Sequence, residues 1–177
     1  MQRFRFRLAL GAMAVAAFGA CADAPTVSRS ATPSAPAALL GSNAPNLLEC
    51  PVNTTQSTTG VIGPLGGVLS LGNHAVQIPA GAVPTPTLFS LTVPSGRYMK
   101  VDVTAVGVEH YVFGAPVSVT VDYSRCPAGR TERRSLTVWY VAPVTNAPLE
   151  HMGGVDDPAK RRITFETGHL SGYVIAY

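Results

Sequence analysis

Val117-Ser118-Val119-Thr120-Val121-Asp122-Tyr123 carries an apolar side chain at every second position and a polar one between. Successive side chains of an extended chain leave on opposite faces, so a period of two gives one dry face and one wet face. A helix would scatter these apolar residues around its axis. The pattern recurs on both sides. Phe89, Leu91 and Val93 enclose Ser90 and Thr92; Met99, Val101, Val103 and Ala105 enclose Lys100, Asp102 and Thr104. Leu136, Val138 and Tyr140 enclose Thr137 and Trp139, and Ile163 and Phe165 alternate with Thr164 and Glu166. Turn residues punctuate the runs at Gly66-Gly67, Gly72-Asn73, Pro79-Ala80-Gly81, Pro94-Ser95-Gly96, Pro127-Ala128-Gly129, Gly153-Gly154 and Asp156-Asp157-Pro158. About nine short strands at this spacing predict an all-β fold, an antiparallel β-sandwich in preference to an open barrel. No segment after residue 22 has a helical period.

Composition agrees. Charged residues make up 13% of the 177, against 17 Gly and 15 Pro, a profile of short strands and tight turns. Lys and Arg total 13 and Asp and Glu 10. Arg3, Arg5 and Arg7 precede the first apolar run, and removing these three leaves ten of each sign. A near-neutral chain lacks the basic stripe that nucleic acid binding requires.

The N-terminus reads as an address. Met1–Arg7 is a basic lead and Leu8–Ala20 an apolar run. As a helix that run spans about 20 Å, short of the roughly 30 Å hydrocarbon core of a bilayer. Phe18-Gly19-Ala20-Cys21 resembles the bacterial lipobox, whose cysteine is lipidated and becomes the mature N-terminus; Phe18 departs from its usual aliphatic residue. Residues 1–20 are thus expected to be a lipoprotein-type signal peptide, with cleavage after Ala22 or Ala24 as the ordinary secretory alternative. From Ala22 to about Asn46 Ala, Ser, Thr and Pro dominate, a composition that cannot bury enough surface to offset its ordering entropy. No strand period sets in before about Thr59, so residues 21–58 read as a tether and 59–177 as the sandwich. The protein is expected outside the cytoplasm, lipid-anchored and facing the periplasm or cell exterior.

Several local patterns in the sandwich resemble the ZU-five domain of zonula occludens proteins, netrin receptors and ankyrins. Gly66-Gly67 leads into Val68-Leu69-Ser70-Leu71, followed by Val76-Gln77-Ile78-Pro79-Ala80-Gly81-Ala82, similar to that family's strand ending in Ile-Pro-x-Gly-Ala. Pro79 should stop the ladder, and Gly81 should supply a backbone angle other residues resist. Phe113-Gly114-Ala115-Pro116-Val117 resembles the Phe-x-x-Pro-Val lead into a central strand, and His169-Leu170-Ser171 stands where many members carry His-Phe-Ser. The likeness runs from about Gly66 to Tyr177. It implies a sandwich used for docking to other proteins or domains, without a cofactor. Some domains of this kind self-cleave between Phe and Ser, which would place a scissile bond at Leu170-Ser171. Ser171 would be the nucleophile and His169 the base, with Gly168 and Gly172 permitting unusual angles. Leu170 departs from the pattern; otherwise His169 and Ser171 only bond the turn into a last strand, Tyr173–Tyr177.

With Cys21 in the lipobox, Cys50 and Cys126 have only each other in an exported chain, and a disulfide is expected. No C-x-x-C or spaced His/Cys cluster accompanies them, so no metal is expected. His74, His110, His151 and His169 are scattered along the chain. Asp156-Asp157 lacks the spaced oxygens of a calcium loop and reads as a solvated turn. Trp139, Tyr140, Tyr111 and Phe113 offer material for a sugar-stacking platform, or for ordinary packing. Gly168-His169-Leu170-Ser171-Gly172 puts its serine fourth rather than third, unlike a nucleophile elbow. Two functions follow: a non-catalytic envelope lipoprotein whose sandwich serves protein interaction or a structural role, or a carbohydrate-binding module at the cell surface. Coplanar exposed aromatics would favour the second, a flat apolar edge the first.

Cys21→Ser is expected to release the protein from membranes into the soluble fraction, because no other apolar segment is long enough to hold it there. An unmodified mature N-terminus at Ala22, Asp23 or Pro25 in mass spectrometry would contradict the lipid.

Overall fold

A computed structural model describes residues 44–131 and 134–177. Residues 1–20, Cys21 and the tether up to residue 43 lie outside the described residues. Among the described residues thirteen strands, numbered in chain order, pair antiparallel throughout. A six-stranded sheet runs β10 (Pro148–Gly153), β9 (Thr137–Val141), β13 (Gly172–Ala176), β7 (Lys100–Ala105), β5 (Thr87–Val93), β2 (Gln56–Ile62). A five-stranded sheet runs β11 (Val155–Asp157), β12 (Arg162–His169), β8 (Val112–Asp122), β4 (His74–Ile78), β3 (Gly67–Leu71). β1 (Glu49–Val52) and β6 (Gly96–Tyr98) form a separate ribbon. The only helix among the described residues is a single turn, α1 (Ala128–Thr131), so none of them forms a helix long and apolar enough to cross a membrane. The chain is an all-β sandwich, with more strands than the periods alone marked.

The alternating residues close the core. Val117, Val119 and Val121 of β8 are buried, opposite Thr167, Phe165 and Ile163 of β12. Facing them, β5 contributes Phe89, Leu91 and Val93, and β7 contributes Val101, Val103 and Ala105. Each Val, Leu, Ile or Phe taken fully out of water contributes about 1.5–3 kcal/mol. The glycine turns follow their chemistry. Gly66 has φ 73°, and a Cβ there would sit 2.4 Å from the Ile78 carbonyl oxygen, so no other residue fits. β4 ends at Ile78, before Pro79; Gly81 takes φ 82° and donates its N–H to Pro64 O at 2.8 Å.

The fold begins earlier than the period suggested, and the tether assigned to residues 21–58 is corrected. Asn46 exchanges backbone bonds with Tyr177, the Leu48 N–H donates to Ile175 O at 2.8 Å, and the Met99 N–H donates to Leu48 O at 2.9 Å. Leu48 and Cys50 are buried, and β1 and the first three residues of β2 also precede Thr59. The segment was invisible as a strand because only two of its positions point inward. Its partners, Tyr177 and Ile175, lie at the opposite end of the chain.

Cys50 in β1 is bonded to Cys126 in the turn after β8, with Cα atoms 5.0 Å apart and both residues buried. Beside them the Glu49 carboxylate takes the Arg97 guanidinium and, at 2.7 Å, that of Arg130. These cations hold the Glu49 carboxyl below its ordinary pKa. For a loop closed across 76 residues the chain-entropy account assigns the disulfide about 4 kcal/mol. The Cys50→Ala/Cys126→Ala variant should lose about that much stability in urea denaturation. A midpoint equal to the wild type's would contradict it.

Candidate functional site

The His169-Leu170-Ser171 segment links β12 to β13 and is held as ordinary backbone. The Leu170 N–H donates to Tyr111 O at 3.2 Å, and the Val103 N–H donates to Ser171 O at 3.0 Å. The His169 carbonyl accepts from Thr167 Oγ1 at 2.9 Å and from the Tyr173 hydroxyl. His169 Nε2 lies 3.5 Å from Glu150 Oε2, and its ring packs on Tyr140 with centroids 5.3 Å apart. Neither Gly168 nor Gly172 has a positive φ; the unusual angles expected there are absent. Gly172 serves another purpose, since a Cβ on it would fall 2.6 Å from Asp102 Oδ1.

Other expected groups are dispersed. His74 is on β4, His151 on β10, His169 ends β12 and His110 precedes β8. Among the described residues no three His, Cys, Asp or Glu are placed to hold a metal. Asp156 and Asp157 were expected in a turn but form β11, where Asp156 accepts from the Tyr123 hydroxyl at 2.6 Å and Asp157 pairs with Lys160 at 2.9 Å. The four aromatics do not share a face. Tyr111 and Phe113 pack on each other and on Phe89 at 5.1–5.8 Å, Trp139 packs on His151 at 4.9 Å, and Tyr140 packs on His169 and Tyr173.

What the fold does assemble is an edge. β2 closes one side of the six-stranded sheet and β3 the same side of the five-stranded one, joined through the turn at Gly63–Gly66. Gly60 of β2 faces Leu69 of β3, whose Cδ1 would lie 3.1 Å from a Cβ there, so the two edges approach closely. From Cys50 to Gly96 the sequence holds no Asp, Glu, Lys or Arg. β2 pairs with β5 from Gln56↔Val93 to Ile62↔Thr87 without a bulge, and β3 pairs with β4 as regularly. Val61, Leu65 and Val68 are 68%, 92% and 62% exposed along this side.

The opposite side is managed differently. β10 breaks register twice and carries Glu150 and His151, and β11 is three residues long with two aspartates. Bulges, shortness and charge are the devices that keep a sheet margin from recruiting another chain. β2 has none of them. The signal lay in the sequence as a charge-free run, visible only when absent residues are counted instead of motifs.

No family model matches this chain, and no curated protein sequence matches it.

His74 is the only titratable histidine inside the charge-free run. Its ring is buried, and Nδ1 accepts the Asp122 N–H at 3.2 Å. Burial, with the cations Arg125 and Arg162 nearby and Asp122 opposing, lowers its pKa to about 4. This side therefore stays uncharged at neutral pH. Unfolded, the imidazole takes its proton near 6.5; between 6.5 and 4 the unfolded chain binds more protons than the native one. This group's contribution makes stability fall as pH drops through that window. Urea titrations at pH 7 and pH 4.5 should show the loss, and His74→Gln should reduce the difference. An unchanged difference would contradict the assignment.

Proposed function

We propose that this chain is a non-catalytic envelope lipoprotein whose β-sandwich binds a protein partner by accepting an extended segment along β2. The carrying observation is the regular, charge-free edge of β2, which no described strand covers. An edge presents backbone donors and acceptors at the spacing of a strand, so its natural occupant is another strand. Exposed Val61 adds apolar contact, and the absence of charge favours a partner segment poor in Asp, Glu, Lys and Arg. The resemblance to ZU-five domains supports docking on the same terms. The expected lipid at Cys21 and the preceding tether would hold this edge near a membrane surface. The dispersal of Trp139, Tyr140, Tyr111 and Phe113 weighs against the aromatic platform on which the carbohydrate alternative was built.

A photo-cross-linking residue at exposed Ser57 should trap a discrete envelope protein, whereas the same probe at Leu149 on β10 should not. Thr59→Lys, on an exposed position, should change stability by no more than about 0.5 kcal/mol yet abolish the cross-link by placing a charge on the edge. A cross-link insensitive to Thr59→Lys would contradict the reading.

A further inference from the structure

Where β7 pairs with β13, the outer face of the six-stranded sheet carries an arrangement that the β2 edge does not use. Lys100 and Asp102 alternate with the buried Val101 and Val103, so both leave the face away from the core. Across the register Asp102 faces Gly172 and Lys100 faces Val174. A Cβ on Gly172 would stand 2.6 Å from Asp102 Oδ1 and 2.8 Å from Lys100 Cε. Glycine is thus what lets the two charged side chains lie against the sheet. Lys100 Nζ is 3.2 Å from Asp102 Oδ1 and 3.5 Å from the Pro143 carbonyl oxygen, and its side chain is only 11% exposed. Burial raises the Asp102 carboxyl above its ordinary pKa, with Lys100 opposing.

This pair is a wall shared by two cavities. One, of about 250 Å³, also takes Ser95, Tyr98 and Asn146 into its lining; the other, of about 340 Å³, takes Glu109, His110 and Ser171. Asn146 sits at the tip between β9 and β10 with φ 54°, its N–H donating to Ala142 O at 3.0 Å. Its Oδ1 is buried without a hydrogen-bond partner among the described residues. A buried acceptor left unpaired costs stability, and here it belongs to a residue lining a cavity beside a half-buried ion pair.

The chemistry of the wall narrows the ligand. An anion would meet the Asp102 carboxylate, a cation would meet the Lys100 ammonium and the Arg97 guanidinium, and an apolar molecule would leave Asn146 Oδ1 without a partner. A hydroxyl donates and accepts at once, so a ring bearing several of them can satisfy Asn146 Oδ1 and Asp102 as acceptors and Lys100 as donor. Tyr98 in the same lining offers a ring to stack against. We propose that these cavities, separated by the Lys100–Asp102 pair and the first of them also lined by Asn146, are a binding site for a neutral saccharide. This inference stands independently of the docking edge.

The test is a two-dimensional amide chemical-shift titration of the full chain in detergent micelles. The probes are maltose, lactose and N,N′-diacetylchitobiose, with inorganic phosphate as the anionic comparison. At least one disaccharide should move the Lys100, Asp102 and Asn146 amides saturably in the millimolar range. Asn146→Gly preserves the left-handed backbone and removes the side-chain amide with its acceptor; it should weaken that binding about fivefold. Asp102→Asn should weaken it about tenfold or more. The proposal is overturned if no disaccharide moves these amides at about 20 mM, if phosphate moves them and the sugars do not, or if affinity is unchanged in Asn146→Gly with the fold intact.

Discussion

A strand at the margin of a sheet presents backbone N–H and C=O groups that no neighbour takes up, and a sandwich of two open sheets has four such margins. This chain treats its two sides unequally. Toward β10 and β11 the ladder is broken by register shifts, shortened to three residues and decorated with Glu150, Asp156 and Asp157. Toward β2 and β3 it is regular and bears no charge. The cost of leaving such a margin open is a standing risk of adventitious pairing, which makes it a feature to be explained by use. His74 fits the same account, since its burial keeps the one titratable histidine of that region neutral down to a pH of about 4.

An open edge can recruit a strand reproducibly only if the sheet behind it is fixed. The core of alternating valines, leucines and phenylalanines does most of this, and the Cys50–Cys126 bond adds a covalent strap across the molecule. Asn46–Leu48 is bonded to Ile175 and Tyr177, so the two ends of the described chain meet at one place. Glu49, between Arg97 and Arg130, secures the same corner electrostatically. The described sandwich therefore takes in the strap and does not begin at the first residue with a strand period.

Much of the fold was legible because its causes are local. A period of two at Val117–Tyr123 dictates which side chains enter the core, and Gly66, Pro79 and Gly81 dictate where strands stop and turn. The disulfide was legible by elimination among three cysteines. What escaped was non-local. Leu48 and Cys50 are two inward positions whose partners are at the other end of the chain, and Asp156-Asp157 looks like a turn until Ile163 and Arg162 are seen opposite it. The candidate sites were harder to read. The edge is defined by missing charges, and the two cavities are lined by Gly172, Lys100, Asp102 and Asn146, which no motif joins. His169 and Ser171, conversely, stood out in the sequence, yet in the fold the His169 ring faces Glu150 and the segment is held by ordinary ladder bonds.

The central claim is that β2 is a free margin, and amide hydrogen exchange measured residue by residue in the isolated chain tests it most directly. The account predicts alternation along Gln56–Ile62, with amides directed at β5 protected and those directed away exchanging fast. Uniform protection of β2, equal to that of the interior strand β5, would mean that the margin is already covered and would contradict the account.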